Sequence, residues 1–152
     1  MRQIEISRLD VTDLDLAGGT AFVLGKGQDD KEANYLHPES VKALRQYLKL
    51  NKIASGALFT SQSNNSRNRR LNTKGIRIIV QGILARLGID KTVHGFRHFF
   101  TTTLIKTYKG DLLEVARYTR HKSLEMLQVY NDNISQKADL PRFYSAFESI
   151  NL

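Results

Sequence analysis

His94-Gly95-Phe96-Arg97-His98-Phe99-Phe100-Thr101-Thr102 opens a segment whose pattern predicts a helix over 94–108, stopped near Gly110. On such a helix His94 and Arg97 are three apart, so their side chains share a face and can grip one anion together. Downstream, the apolar spacing predicts helices over 111–118, 123–130 and 139–150. His121 falls at a corner between two of them, and Tyr130 follows 9 positions later, after the amphipathic run Leu124, Met126, Leu127. In the last segment Leu140, Phe143, Phe147 and Ile150 stand on one helical face that needs a cover. Its own domain and a neighbouring protomer are both candidates.

Upstream of this segment the pattern changes. Ile76, Ile79, Val80, Ile83, Leu84 and Leu87 form a helical stripe, and Gly88 follows as a helix-ending glycine should. Residues 61–70, Ser-Gln-Ser-Asn-Asn-Ser-Arg-Asn-Arg-Arg, are polar and basic, and read either as a solvated linker or as a segment that meets phosphates. Pro38 suits a first helical position, with Val41, Leu44, Tyr47 and Leu48 at helical spacing, so a helix is expected over about 39–50. From Leu9 to Leu36 the apolar residues come in short runs (Leu9, Val11; Leu14, Leu16; Phe22, Leu24; Tyr35). These runs are broken by Gly18-Gly19 and by Gly25-Lys26-Gly27, which reads as two or three antiparallel strands joined by turns. The expected class is α+β, mainly helical, with a small antiparallel sheet near the N-terminus.

A chain of 152 residues is the size of one domain, and 1–152 is expected to be one. Its 23 Lys and Arg against 15 Asp and Glu leave a formal charge of +8, which favours a polyanionic partner. No apolar run approaches the ~20 residues that span a bilayer. Met1-Arg2-Gln3-Ile4-Glu5 lacks the apolar core of a signal peptide, and the absence of cysteine excludes a disulfide framework or thiolate metal site. A reducing cytoplasm is the expected compartment.

Singly, each chemical residue has a bland reading. Gly25-Lys26-Gly27 is a common hairpin turn, and Tyr130 is one of 6 tyrosines and can simply pack a core. His94 and His98 are spaced as metal ligands, with His121 as a third. Against a metal, position 95 is Gly where a zinc protease helix has Glu, and Arg97 between the histidines repels a cation. His98 is read as structural and no metal site is assigned.

Taken jointly, the residues resemble the tyrosine recombinase (phage integrase) family, over nearly the whole chain. Met1-Arg2-Gln3-Ile4-Glu5-Ile6 is similar to its first Arg segment, and Leu24-Gly25-Lys26-Gly27 to its Lys hairpin. His94-Gly95-Phe96-Arg97 looks like its His-x-x-Arg helix, while Arg120-His121-Lys122-Ser123 and Val129-Tyr130 look like its corner His and nucleophilic Tyr. The intervals also resemble the family's: 24 from Arg2 to Lys26, 24 from Arg97 to His121, and 9 from His121 to Tyr130. Arg120 stands where the family usually has Gly, so either the corner backbone differs or Arg120 adds a phosphate contact. The resemblance implies further helices and a DNA-binding domain upstream of Arg2.

The resemblance implies site-specific cleavage and rejoining of DNA through a covalent 3′-phosphotyrosine, as in integration or excision of a mobile element. A phosphodiester attacked in line needs positive donors around its equatorial oxygens, and the planar fork of arginine holds two at once. Arg2 and Arg97 would form that clamp with His121 as a third donor, and Glu5 would orient Arg2. Tyr130 would attack, His94 would take its proton, and Lys26 would protonate the leaving 5′-oxygen. Arg67, Arg69, Arg70, Lys74, Arg120 and Lys122 are the candidate DNA contacts. No cofactor is implied, because the ester conserves the energy of the bond it replaces. The partners implied are double-stranded DNA and further copies of the chain in a tetrameric synapse, and no membrane. The rival readings are an inactive DNA-binding remnant of an integrase, a type IB topoisomerase, and a helix-turn-helix repressor. The short His121–Tyr130 interval disfavours the topoisomerase, and a repressor has no need of Tyr130.

Overall fold

A computed structural model describes residues 1–25, 27–121 and 123–145. The chain divides into two compact units, Met1–Gly95 and Phe96–Leu152.

The first unit begins with α1 (Gln3–Arg8), a stretch to which the sequence pattern assigned no element. Glu5, buried in the first turn, accepts the Arg2 backbone N–H at 2.5 Å, so one carboxylate satisfies an orphan donor of the helix start. Leu9 and Val11 do not form a strand. Asp13 accepts the Asp10 N–H at 2.9 Å and winds Val11–Asp13 into a 3-10 turn. The sheet then follows as β1 (Leu14–Asp15), β2 (Thr20–Leu24) and β3 (Lys31–Tyr35), antiparallel in that order. Thr20 pairs Tyr35 and Leu24 pairs Lys31, so β2 and β3 form a hairpin in register along their whole length. Ala21 and Val23 point inward while Phe22 points out, the period of two that a half-buried strand requires. With Leu9 and Leu58 they form the core, against which Leu44 and Leu48 of α2 (Pro38–Asn51) pack. Pro38 is the first helical residue, where its missing N–H costs nothing.

Residues 59–71 form a closed loop and not a linker. Thr60 bridges Arg70, Ser61 N–H donates to Arg69 O at 2.8 Å, and Leu71 N–H donates to Phe59 O at 2.8 Å. Asn72 then caps α3 (Thr73–Arg86) by accepting Gly75 N–H at 2.8 Å. Gly88, at φ +67°, ends it: its N–H donates to Ala85 O and that of Ile89 to Leu84 O, a Schellman closure. Of the stripe, Ile76 and Leu84 are buried, while Ile79, Ile83 and Leu87 are exposed.

Helix α4 (Val93–Thr107) leads into the second unit. Asp111 caps α5 (Leu112–Thr119) through Glu114 N–H at 3.1 Å, and α6 runs over Leu124–Ser145. Ile105, Val115 and Leu127, one from each helix, form the core. Each contributes about 1.5–3 kcal/mol on burial. Two separate helices were expected over 123–130 and 139–150, but one continuous helix replaces them through residue 145. Ile134 packs on the core and Gln128 donates to Asp132 at 2.6 Å, so the polar stretch between them stays helical. Pro141 lies within its last turns. Phe147 and Ile150 of the predicted C-terminal stripe lie outside the described residues.

The corner after α5 is turned by Arg120 at φ 56°, ψ 42°. The backbone there is the left-handed one that glycine favours, carried instead by an arginine at a cost of roughly 1–2 kcal/mol. Arg120→Gly is therefore expected to stabilise the chain by about 1 kcal/mol, read as a higher urea midpoint at unchanged slope. A lower midpoint would show that the Arg120 side chain contributes more than its backbone costs.

Candidate active site

In the second unit three elements bring side chains together. Arg97 projects from α4, and its Nη2 donates to the Thr119 carbonyl at 3.0 Å and meets His121 Nε2 at 3.2 Å. The Thr119 carbonyl is available because α5 ends there and the left-handed Arg120 turns the chain away, freeing a terminal acceptor. On its other side the His121 ring places Nδ1 2.7 Å from Thr119 Oγ1. Tyr130, on α6, packs half-buried against the core cluster. Its ring centroid lies 6.3 Å from that of His121 and 5.1 Å from that of His98. Arg97, His121 and Tyr130, 24 and 9 positions apart in sequence, thus share one small region of this unit. A guanidinium, an imidazole and a phenol so arranged can hold an anion and present an oxygen nucleophile beside it.

Two residues here had no functional role in the sequence reading. His98, read as structural, is the nearer of the two imidazoles to the Tyr130 ring; its i+1 position after Arg97 gave no hint of this. Thr119 belongs to no motif quoted above, and its part emerges only where the end of α5 meets α4.

In the first unit, Arg2 is the N-cap residue of α1, and its guanidinium pairs with Glu5 at 3.3 Å. The Arg2 side chain is 42% exposed and that of Glu5 only 1%, so the buried carboxylate anchors an arginine whose far side faces solvent. His94 is exposed in the first turn of α4. Lys26 lies outside the described residues. Arg67 and Arg69 are exposed in the closed loop and Lys74 is exposed in the first turn of α3. Arg70 is also exposed, but its guanidinium is held by the protein: Nη1 donates to the Ser7 and Leu9 carbonyls at 3.1 and 3.0 Å, and Nη2 pairs with Asp10 at 2.5 Å. Its donors tie the loop to the end of α1. Arg120 is half-buried at the corner, and Lys122 lies outside the described residues.

The model of the phage integrase family matches residues 1–137. A tyrosine recombinase XerC of Herpetosiphon aurantiacus is 33% identical over 144 residues, covering 91% of this chain and 45% of that protein. A tyrosine recombinase XerC of Lactobacillus delbrueckii subsp. bulgaricus is 31% identical over 139 residues, covering 86% and 45%. Among solved structures, XerA recombinase superposes with a TM-score of 0.70 at 26% identity, over 99% of this chain and 53% of that one. The chain thus spans about half the length of the relatives it matches. With the α+β architecture, the Arg97–His121–Tyr130 grouping and a family match over most of its length, the chain belongs to the phage integrase family of tyrosine recombinases.

Proposed function

We propose that residues 1–152 are the catalytic domain of a site-specific DNA recombinase that cleaves and rejoins duplex DNA through a 3′-phosphotyrosine. The observation that carries this reading is the 3.2 Å contact of Arg97 with His121 beside the Tyr130 ring. Arg97, His121 and Arg2 hold the equatorial oxygens of the scissile phosphate, where charge builds in the transition state. Glu5 orients Arg2. Tyr130 Oη attacks phosphorus as the bond to the 5′-oxygen breaks. The phenolic proton passes to His94, and Lys26 supplies one to the departing 5′-oxygen. The 5′-hydroxyl of a partner strand then attacks the phosphotyrosine, reversing the sequence on a new junction. The +8 charge supports a DNA partner, with Arg67, Arg69 and Lys74 reaching the backbone. Further copies of the chain on paired sites form the tetrameric assembly in which strands exchange, as integration or excision of a mobile element requires.

The test is adduct formation on nicked duplexes that cover the DNA flanking the gene, where a released fragment prevents religation. A covalent protein–DNA species is expected, with the modified peptide mapping to Tyr130. A chain that binds these duplexes and never becomes attached would be a DNA-binding remnant, and the proposal would fall.

A further inference from the structure

Thr119 is 3% exposed and ends α5, where its two oxygens face two different partners. Its carbonyl accepts from Arg97 Nη2 at 3.0 Å. Its hydroxyl donates its single proton to Val115 O at 2.9 Å, the turn before, and so presents only lone pairs to His121 Nδ1 at 2.7 Å. With the hydroxyl proton directed to Val115 O, the hydrogen of the 2.7 Å contact is assigned to Nδ1. At the opposite edge of the ring, Arg97 can only donate, so Nε2 at 3.2 Å must accept. The two contacts together specify a neutral imidazole with its proton on Nδ1.

We infer that Thr119 is a positioning residue that locks the tautomer and orientation of His121 and ties it to Arg97. The inference rests on the proposal that these two side chains hold the scissile phosphate. When a phosphate oxygen arrives, the Arg97 N–H turns to it, and Nε2 is left facing the same oxygen. There it takes up a proton from bulk water and donates it to that oxygen in a hydrogen bond. The Nδ1–H to Thr119 bond is the same in the neutral and the protonated ring, so the imidazole changes charge without changing direction. Preorganisation of this kind is what makes a donor effective in the transition state. A leucine-like side chain at 119 would keep the carbonyl contact to Arg97 and lose the hold on the ring.

The two functions of Thr119 separate by substitution. Thr119→Val keeps the shape and the carbonyl and removes the hydroxyl; Thr119→Ser keeps the hydroxyl. The 152-residue chain, labelled with nitrogen-15 histidine and assigned with a His121→Asn variant, is expected to show the Nδ1–H tautomer at His121. Thr119→Ser should retain it and Thr119→Val should lose it, at comparable melting temperature. The rate of adduct formation on nicked duplex should fall about tenfold in Thr119→Val and recover in Thr119→Ser, the effect of one unpaired buried donor. A predominant Nε2–H tautomer in the unsubstituted chain, or an unchanged ring spectrum in Thr119→Val, overturns the inference. Absence of any adduct with the spectral series intact counts against strand transfer instead and leaves the tautomer lock standing.

Discussion

Tyr130→Phe is expected to reduce covalent adduct formation by at least about 10³-fold, the scale on which loss of an enzymatic nucleophile is felt. The substitution removes one oxygen and keeps the ring. Tyr130 packs against the Ile105, Val115 and Leu127 cluster and against the His98 ring at 5.1 Å, and Phe preserves both contacts. Unfolding by urea should therefore shift by no more than about 1 kcal/mol, and retention of duplex in a gel-shift assay should not change. A variant with native stability, native binding and no adduct isolates the hydroxyl as the reacting atom. Adduct that persists in Tyr130→Phe would move the nucleophile to another of the 6 tyrosines.

Arg97→Ala is expected to lower the cleavage rate about 10²–10³-fold, the loss typical of one preorganised donor at a developing charge. Binding should respond differently. Nonspecific affinity is the sum of several phosphate contacts, so removing one should reduce the salt slope by about 1 and leave most of the binding in place. Arg97→Lys should rescue little, because a single ammonium on a flexible stem cannot meet Thr119 O and His121 Nε2 as Nη2 does and still offer a second nitrogen to the phosphate. If binding and cleavage fall by the same factor in Arg97→Ala, Arg97 acts in DNA retention and not in the chemical step.

Much of the architecture was legible before any coordinates. Pro38, Gly88 and Gly110 mark helix ends because their backbone preferences are intrinsic, whereas the sequence grouped Phe22 with Leu24 and the structure buries Ala21 and Val23 instead. The candidate site was legible as a set of spaced residues, since the reaction dictates which side chains it needs. What escaped notice depended on contacts between distant residues. The stretch between Tyr130 and Leu140 has the polarity of a loop, yet Ile134 finds the core and the helix continues. Arg70 has the composition of a phosphate contact, yet its guanidinium is drawn in by Ser7, Leu9 and Asp10, about 60 positions away.

By itself the amino-acid order determined several helix ends, that the class is α+β, and which Arg, His and Tyr are available for phosphate chemistry. These follow from local dihedral preference, from hydrophobic period and from side-chain type, all properties of neighbouring residues. Only the tertiary structure decided that Arg97 meets His121 across the end of α5, that the Thr119 hydroxyl meets the imidazole, and that the Arg70 guanidinium is tied to Ser7, Leu9 and Asp10. Such outcomes turn on which donor lies nearest which acceptor once a core has closed: Arg97 and His121 are 24 positions apart and Arg70 and Asp10 are 60 apart.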